Sequence, residues 1–380
     1  MKIYLDETVE EAARARVRYL YREFPHVYVC FSGGKDSTVC LELAISEARK
    51  LGKLPVNLLF LDQETEWDAV IAYMRRSMAR PEVRPVWLQL PFRMTNATST
   101  TDEWLHCWDP AREASWIRPK EPTSIHTNVY GKDRFSEMFA AYPRYHHPDE
   151  PVALIGGVRC QESPSRTFAL TSSKTYKYIT WGKKLDEARG HFVFYPLYDW
   201  GLTDIWHAIE SGGWAYCAHY DRLYQHGISI HEMRVSNVHH ETAIKNLYFL
   251  QELEPETWNK ITARLSGINT AGHLQHAFTR PPRQLPPMFT GWDTYRDYLL
   301  EHLVTDRAIR AKMRKQFDQM DALFLEVVHP QLRRVQVACI LSNDWYMTKL
   351  KNFDATHTHH RRNTTYRGSK EGGRFVSGTT

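Results

Sequence analysis

The 380-residue sequence has no apolar run of eighteen residues, so it offers no helix to span a bilayer. It has no Cys-x-x-Cys pair. Its six cysteines, Cys30, Cys40, Cys107, Cys160, Cys217 and Cys339, are scattered. Paired-cysteine zinc sites and iron–sulfur ligation are therefore not expected, and free thiols in a reducing cytoplasm are the simplest reading. The first 24 residues alternate charged and apolar side chains at helical spacing and lack the unbroken apolar stretch of a secretion signal. No internal repeat is visible. The net charge is only +5, which is compatible with a polyanionic partner but does not demand one. What the sequence does hold is a 42% hydrophobic fraction, enough for a packed core, with twelve tryptophans and nineteen histidines. Such rings line nucleotide sites, but most serve in cores.

Apolar patterning sets the element order. Apolar residues at helical spacing predict a helix from Asp6 to Phe24, capped by Asp6 or Thr8 and ended by Pro25. Residues 26–31 read as a buried strand, 37–53 as a helix ending near Gly52, 56–62 as a strand, 64–78 as a helix and 83–90 as a third strand. This alternation is the signature of a parallel sheet covered on both faces. Residues 93–150, with Trp104, Trp108 and Trp116, read as an insertion or lid. Strands resume at 151–156 and 192–197, and Thr203 reads as the cap of a helix. Beyond about 215 strand signals fade, and 239–266 and 293–328 read as helical. The expected organisation is a helix at 1–24, an α/β nucleotide-binding domain at 25–212, a helical region at 213–350 and a basic, flexible tail at 351–380.

Between the first strand and the next helix stands Ser32-Gly33-Gly34-Lys35-Asp36-Ser37. A strand feeding a glycine turn and then a helix aims backbone N–H groups at one spot, where the helix dipole adds positive charge. Gly33 and Gly34 permit close backbone approach, Lys35 adds a mobile charge, and Ser32 and Ser37 add hydroxyls. A plain tight turn would not need all six. The loop is not a Walker A motif: Asp36 follows the lysine, and Val29 occupies the place of the first glycine. Asp36 beside a phosphate site makes sense if it holds Lys35 or the water shell of Mg²⁺.

This loop resembles the PP-loop of the ATP-pyrophosphatase superfamily, which includes sulfonucleotide reductases, ATP sulfurylase small subunits, GMP synthetase and tRNA-thiolation enzymes. The resemblance implies an adenine nucleotide α-hydrolase-like (Rossmann-like) fold, ATP or a related nucleotide such as PAPS, Mg²⁺, and chemistry at the α-phosphorus. Gly156-Gly157-Val158-Arg159-Cys160-Gln161-Glu162-Ser163 with Arg166 follows the fourth strand. Standing alone it would read as a surface ion-pair loop. It is similar to an element of the PAPS reductase branch that lines the anionic end of the nucleotide, which implies roles for Arg159, Glu162, Ser163 and Arg166. Asp62 and Glu64 match a nucleotide-contacting position of that branch, with Asp36 and Asp62 as tentative Mg²⁺ ligands. Pro196-Leu197-Tyr198-Asp199-Trp200 with Asp204, Ile205 and Trp206 matches a structural element of the same branch.

A self-sufficient sulfonucleotide reductase needs a nucleophilic cysteine near its C-terminus. The sequence offers only Cys339, in an apolar setting that favours an inert thiol. Residues 253–258, 263–269 and 339–344 resemble the IbrA-like proteins, commonly paired with a ParB/sulfiredoxin-like partner, IbrB.

Two other constellations stand out. Cys217, His219, His231, His239 and His240 lie close in sequence, but their spacing is not that of a known zinc site, so zinc is not expected there. Lys174, Lys177, Lys183 and Lys184 interleave with aromatics, and Arg361 and Arg362 open the basic tail. Both would suit nucleic-acid contact, and a solvated strand face explains the first equally well. The functional expectation is an enzyme that activates an acceptor, with a nucleic acid as the favoured acceptor. A nucleotide-sensing regulator without chemistry and a PAPS reductase using a partner's thiol are the alternatives.

Overall fold

The structure is a computed structural model that describes residues 5–99, 102–163, 166, 167, 170, 175–236, 238, 247–268 and 281–362. The chain forms two compact units, Met1–Thr95 with Trp104–Gly272 and Asn96–Glu103 with His273–Thr380. The sequence boundary drawn at 212 thus falls inside the first unit.

In the first unit, helix α1 (Val9–Glu23) is opened by a reciprocal cap between Thr8 and Glu11 and buries Ala13, Val17, Leu20 and Tyr21. Strand β1 (His26–Cys30) follows, then α2 (Lys35–Lys50), β2 (Val56–Leu61), α3 (Asp68–Met78) and β3 (Val83–Leu88). Helix α2 starts two residues earlier than its apolar pattern predicts, so Lys35 and Asp36 lie in its first turn. The 93–150 region contains a two-stranded antiparallel ribbon, β4 (Phe92–Thr95) with β5 (Trp104–Cys107), and α4 (Phe135–His146). Strand β6 (Val152–Ile155) returns to the main sheet. Next come β7 (Thr175–Tyr176), β8 (Ile179–Asp186) and β9 (His191–Phe194), then α5 (Leu202–Ser211), α6 (His219–Gln225), α7 (Leu247–Leu253) and α8 (Pro255–Arg264). Gly201, not Thr203, caps α5, and its N–H donates to Asp204 at 2.7 Å. The helix predicted across 239–266 is broken at Glu254, whose carboxylate accepts from the Asp68 and Ala69 N–H groups at the start of α3.

The seven-stranded sheet runs β3-β2-β1-β6-β9-β8-β7. The first five strands are parallel, and β8 and β7 add antiparallel to the β9 edge. The middle strands are apolar on both faces, as a sheet covered on both sides requires: all four residues of β6 are buried. From β1 the chain goes to β2 on one side, and β6 later returns on the other. The carboxyl ends of β1 and β6 therefore flank a topological switch point, where open α/β sheets hold their ligands. The 32–37 loop lies at that point. The element at 196–200 ties the sheet to α1: Arg16 makes a bidentate pair with Asp199 at 2.6–2.7 Å, and the Trp200 indole N–H donates to the Val9 carbonyl at 3.0 Å.

The second unit contains α9 (Trp292–His302), α10 (Arg307–Leu323), α11 (His329–Leu341) and α12 (Thr348–Thr356). Leu300, Phe317, Phe324, Leu332, Val337 and Cys339 form its core. The helix predicted across 293–328 is interrupted at 303–306, and α11 and the start of α12 fall in the stretch read only as generally helical, 213–350. Part of the predicted tail is structured, because Arg361 pairs with Asp354 and Arg362 donates to the Phe324 carbonyl at 2.9 Å. Residues 363–380 lie outside the described residues. No helix among the described residues is long and apolar enough to cross a membrane.

Candidate nucleotide site

The backbone makes the site first. Gly33 has φ +71°, the left-handed conformation that a side chain strains, and an added Cβ would sit 3.1 Å from Val70. Gly34 is extended and caps α2 without a side-chain hydrogen bond, so the cap itself leaves the first-turn N–H groups to an anion, apart from that of Lys35, which donates to the Tyr220 hydroxyl. Ser37 Oγ lies 3.2 Å from Ser32 Oγ and donates to the Gly34 carbonyl at 2.9 Å, closing the loop on itself.

A second glycine pair brings the 156–166 segment onto this loop. A Cβ on Gly157 would meet the Asp36 carbonyl carbon and the Ser37 nitrogen at 2.9 Å, so only glycine allows this contact. Gly156 is equally tight against the Tyr195 ring, at 2.9 Å. Gln161 anchors the segment from behind by accepting from the Leu202 N–H at 2.8 Å.

The contact assembles a chain of alternating charge. Lys35 Nζ lies 3.0 Å from Asp36 Oδ2, and Arg159 Nε bonds Asp36 Oδ1. Arg159 also lies 3.7 Å from Glu162, which pairs with Arg166 at 2.6 Å. Three cations thus face two carboxylates beside a helix N-terminus, leaving an excess of positive charge. Burial pushes the Glu162 carboxyl above its ordinary value, against the pull of Arg166. Ser163 caps a short turn, its Oγ accepting from the Arg166 N–H at 3.3 Å. Lys35, Asp36, Arg159, Glu162, Ser163 and Arg166 are therefore gathered as the two motifs implied.

Tyr220 completes the loop, and no spacing in the sequence signals it. It is 4% exposed, its hydroxyl accepts the Lys35 N–H at 3.1 Å, and its ring lies 5.7 Å from Lys35 Nζ. Burial raises its hydroxyl pKa, so it stays a neutral phenol.

Asp62 and Glu64 do not open onto the loop. Both are 0% exposed. Asp62 accepts from Trp87 Nε1 at 2.8 Å, Gln89 Nε2 at 3.0 Å and the Glu64 N–H at 2.9 Å, and pairs with Arg118. Glu64 takes Arg264 in a two-pronged pair at 2.6 and 3.0 Å and the Trp108 N–H at 2.8 Å. These bonds engage both carboxylates fully, which leaves Asp62 no lone pair well placed for a metal.

The Cys/His stretch does not gather either. Cys217 and His219 are buried, His231 is exposed, and His239 and His240 lie outside the described residues. The His219 ring packs on Trp67 at 3.8 Å, and neither of its nitrogens finds a hydrogen-bond partner among the described residues. Burial pushes its pKa down from 6.5 to about 3. The unfolded chain therefore takes up this proton first, and stability from this group is present above pH 6.5 and lost as pH falls toward 3. His219→Leu is expected to flatten urea-unfolding stability over that window by up to about 1.4 kcal/mol per pH unit. An unchanged slope would show that the ring is protonated in the native state.

A protein-family model for the phosphoadenosine phosphosulfate reductase domain matches residues 26–228, more than half of the chain. The chain belongs to this family. The phosphoadenosine phosphosulfate reductase domain thus contains the 32–37 loop and the 156–166 segment, and the chain is a PP-loop protein. A domain of unknown function (DUF3440) matches residues 227–326. The uncharacterized protein YbdN of Escherichia coli (strain K12) is 27% identical over 317 residues, 80% of this chain and 77% of that protein. The sulfate adenylyltransferase subunit 2 of Mycobacterium tuberculosis (strain ATCC 25618 / H37Rv) is 25% identical over 207 residues, and the match spans 51% of this chain and 58% of that subunit. Among solved structures, the PAPS reductase of Candida auris aligns with a TM-score of 0.32 and 14% identity, over 58% of this chain and 94% of that one. The FMN adenylyltransferase of Candida glabrata aligns with a TM-score of 0.34 and 14% identity, over 58% and 63%.

Within the phosphoadenosine phosphosulfate reductase domain the interleaved lysines do not make one basic face. Lys183 is buried and donates to the Leu170 carbonyl, Lys177 pairs with Glu23, and Lys184 pairs with Glu187 at 2.7 Å. Tyr176 packs on Phe24 and Phe192, whereas Tyr178 is 98% exposed. Lys174 lies outside the described residues.

Proposed function

We propose that this chain is an adenylyl-transfer enzyme that binds ATP with Mg²⁺ and cleaves at the α-phosphorus. The observation that carries this reading is the convergence of Lys35, Arg159 and Arg166 on the glycine loop at the switch point. Ser32, Gly33, Gly34 and Ser37 hold the pyrophosphate through backbone and hydroxyl donors. Lys35 and Arg159 stabilise the charge that builds on the leaving pyrophosphate. Glu162, Ser163 and Arg166 hold the acceptor or the far end of the nucleotide. The bond from the α-phosphorus to its bridging oxygen breaks, and pyrophosphate leaves with the electron pair. A nucleophile of the acceptor, or water, bonds the phosphorus and gives up its proton. The products are pyrophosphate with an adenylated acceptor or AMP.

For Mg²⁺ the donor chemistry fits at one carboxylate. The Asp36 side chain is 14% exposed at the loop and can shift from Lys35 to an ion arriving with the nucleotide. Bound there, the ion would neutralise pyrophosphate charge. Asp62 and Glu64 act instead through Arg118 and Arg264, as rigid support for the wall beside the loop.

The family match gives a second reading, reduction of a sulfonucleotide such as PAPS. That chemistry needs a thiolate, and burial raises the thiol pKa of Cys30, Cys40, Cys107, Cys217 and Cys339. Cys160, part-exposed in the 156–166 segment, is the sixth cysteine; in this second reading the thiolate comes from a partner, an IbrB-like, ParB/sulfiredoxin-like protein. A nucleic-acid acceptor draws less support from the structure than from the sequence, since the described lysines are paired or buried.

Gly157→Val tests the site without touching a charged group. Its side chain displaces the first turn of α2, and ATP affinity measured by calorimetry is expected to fall at least about tenfold. Unchanged affinity in the folded variant would place the nucleotide elsewhere.

A further inference from the structure

We infer that His26, His147 and Glu150 form a binding site for one divalent transition-metal ion of the Zn²⁺ type, at the end of the sheet opposite the nucleotide loop. His26 opens β1, His147 is the C-cap of α4, and Glu150 lies in the short turn into β6. The sequence holds the first two 121 positions apart, so no motif announces the group. The parallel register of β1 on β6, with His26 opposite Val152, brings them together.

One ligand atom from each residue lies within 4.8 Å of the others. Glu150 Oε2 is 2.9 Å from His26 Nε2 and 3.6 Å from His147 Nδ1. A tetrahedral Zn²⁺ with bonds of about 2.0–2.1 Å separates its ligand atoms by about 3.3 Å, so these two distances bracket the required spacing. The two imidazoles stack at 3.8 Å between centroids with their planes 26° apart, so one ring, that of His26, turns to bring both in-plane lone pairs onto one ion.

The outer groups are those of a supported ligand set. His147 Nε2 bonds the Tyr28 hydroxyl at 2.7 Å, which fixes the ring and turns Nδ1 toward Glu150. Tyr28 is two residues along β1 from His26, on the same face. His191 Nε2 lies 2.9 Å from the His147 carbonyl and holds the backbone at that point. Two imidazoles and a carboxylate suit Zn²⁺, Co²⁺ or Ni²⁺ and disfavour Mg²⁺, which prefers oxygen ligands. Glu150 is exposed, so the fourth position is open to water. The five residues of β1 put this site about 15 Å from the start of the loop. The ion would clip the end of α4 and the entry to β6 onto β1, steadying the frame without joining the chemistry.

The test uses the full chain stripped with a chelator and titrated with Co²⁺, then Zn²⁺. Wild type is expected to develop the visible absorption of four-coordinate Co²⁺, to lose it on adding Zn²⁺, and to gain thermal stability with Zn²⁺. Glu150→Gln, at an exposed position, and His26→Ala are each expected to weaken binding at least about 100-fold and to abolish the Zn²⁺-dependent rise in Tm. ATP affinity in both variants should match wild type, which separates this site from the nucleotide site. The proposal is overturned if wild type takes up no Co²⁺ or Zn²⁺. Equal binding in wild type and both variants also overturns it, and would point to the histidines at 357, 359 and 360.

Discussion

Lys35→Ala is expected to lower the turnover of ATP to AMP and pyrophosphate by about 10²–10³-fold, a loss of about 3–4 kcal/mol of transition-state stabilisation. The ammonium group is the one positive side chain on the 32–37 loop. Its partner Asp36 keeps Arg159 when Lys35 is removed, so the local charge chain does not collapse. Stability should therefore change by less than about 1 kcal/mol. The fall should appear in kcat more than in KM, because the charge Lys35 meets grows only as pyrophosphate departs. Full activity in a folded variant would remove the loop from the chemistry.

Arg264→Met is expected to destabilise the first unit by about 3–5 kcal/mol, read from urea unfolding. The Arg264 side chain is 1% exposed and that of Glu64 is 0% exposed, and the pair is bidentate. Removing the guanidinium leaves a buried carboxylate with the Trp108 N–H as its main support. Glu64 also has φ +65°, a left-handed conformation uncommon for a residue with a side chain, and the pair helps to hold it there. Glu64→Gln added to Arg264→Met removes the orphaned charge and should recover part of the loss. A single-variant effect below about 0.5 kcal/mol would show that the carboxylate accepts a proton at little cost.

The loop and the parallel strands were readable because local pattern decides them. A doubly covered strand is apolar throughout, and a glycine pair before a helix has few other uses. Val56–Leu61 and Val83–Leu88 are strands where those runs predict them. The role given to Glu64 was less secure, since a carboxylate just after a strand looks available until its partner is known. That partner, Arg264, lies 200 positions away, and Arg118 lies 56 from Asp62. Tyr220 was hidden for the same reason, 185 positions from the N–H it accepts. The lysine-rich segment misled in the opposite direction. Charge alternation was visible, but Lys183 points inward to a backbone carbonyl, a choice made by tertiary packing. Helix α11 was not marked off as a separate helix because its buried residues run consecutively from Gln336 to Ile340, so no clean stripe marks it.

The central claim is cleavage at the α-phosphorus on this loop, and α-labelled ATP tests it most directly. The purified chain is incubated with the nucleotide and Mg²⁺, with and without nucleic acid and a candidate partner protein, and the labelled products are separated. The account predicts labelled AMP or a labelled adenylated acceptor, with pyrophosphate released in equal amount, and neither in Lys35→Ala. Labelled ADP with free phosphate, or bound ATP left intact under every condition, would contradict it.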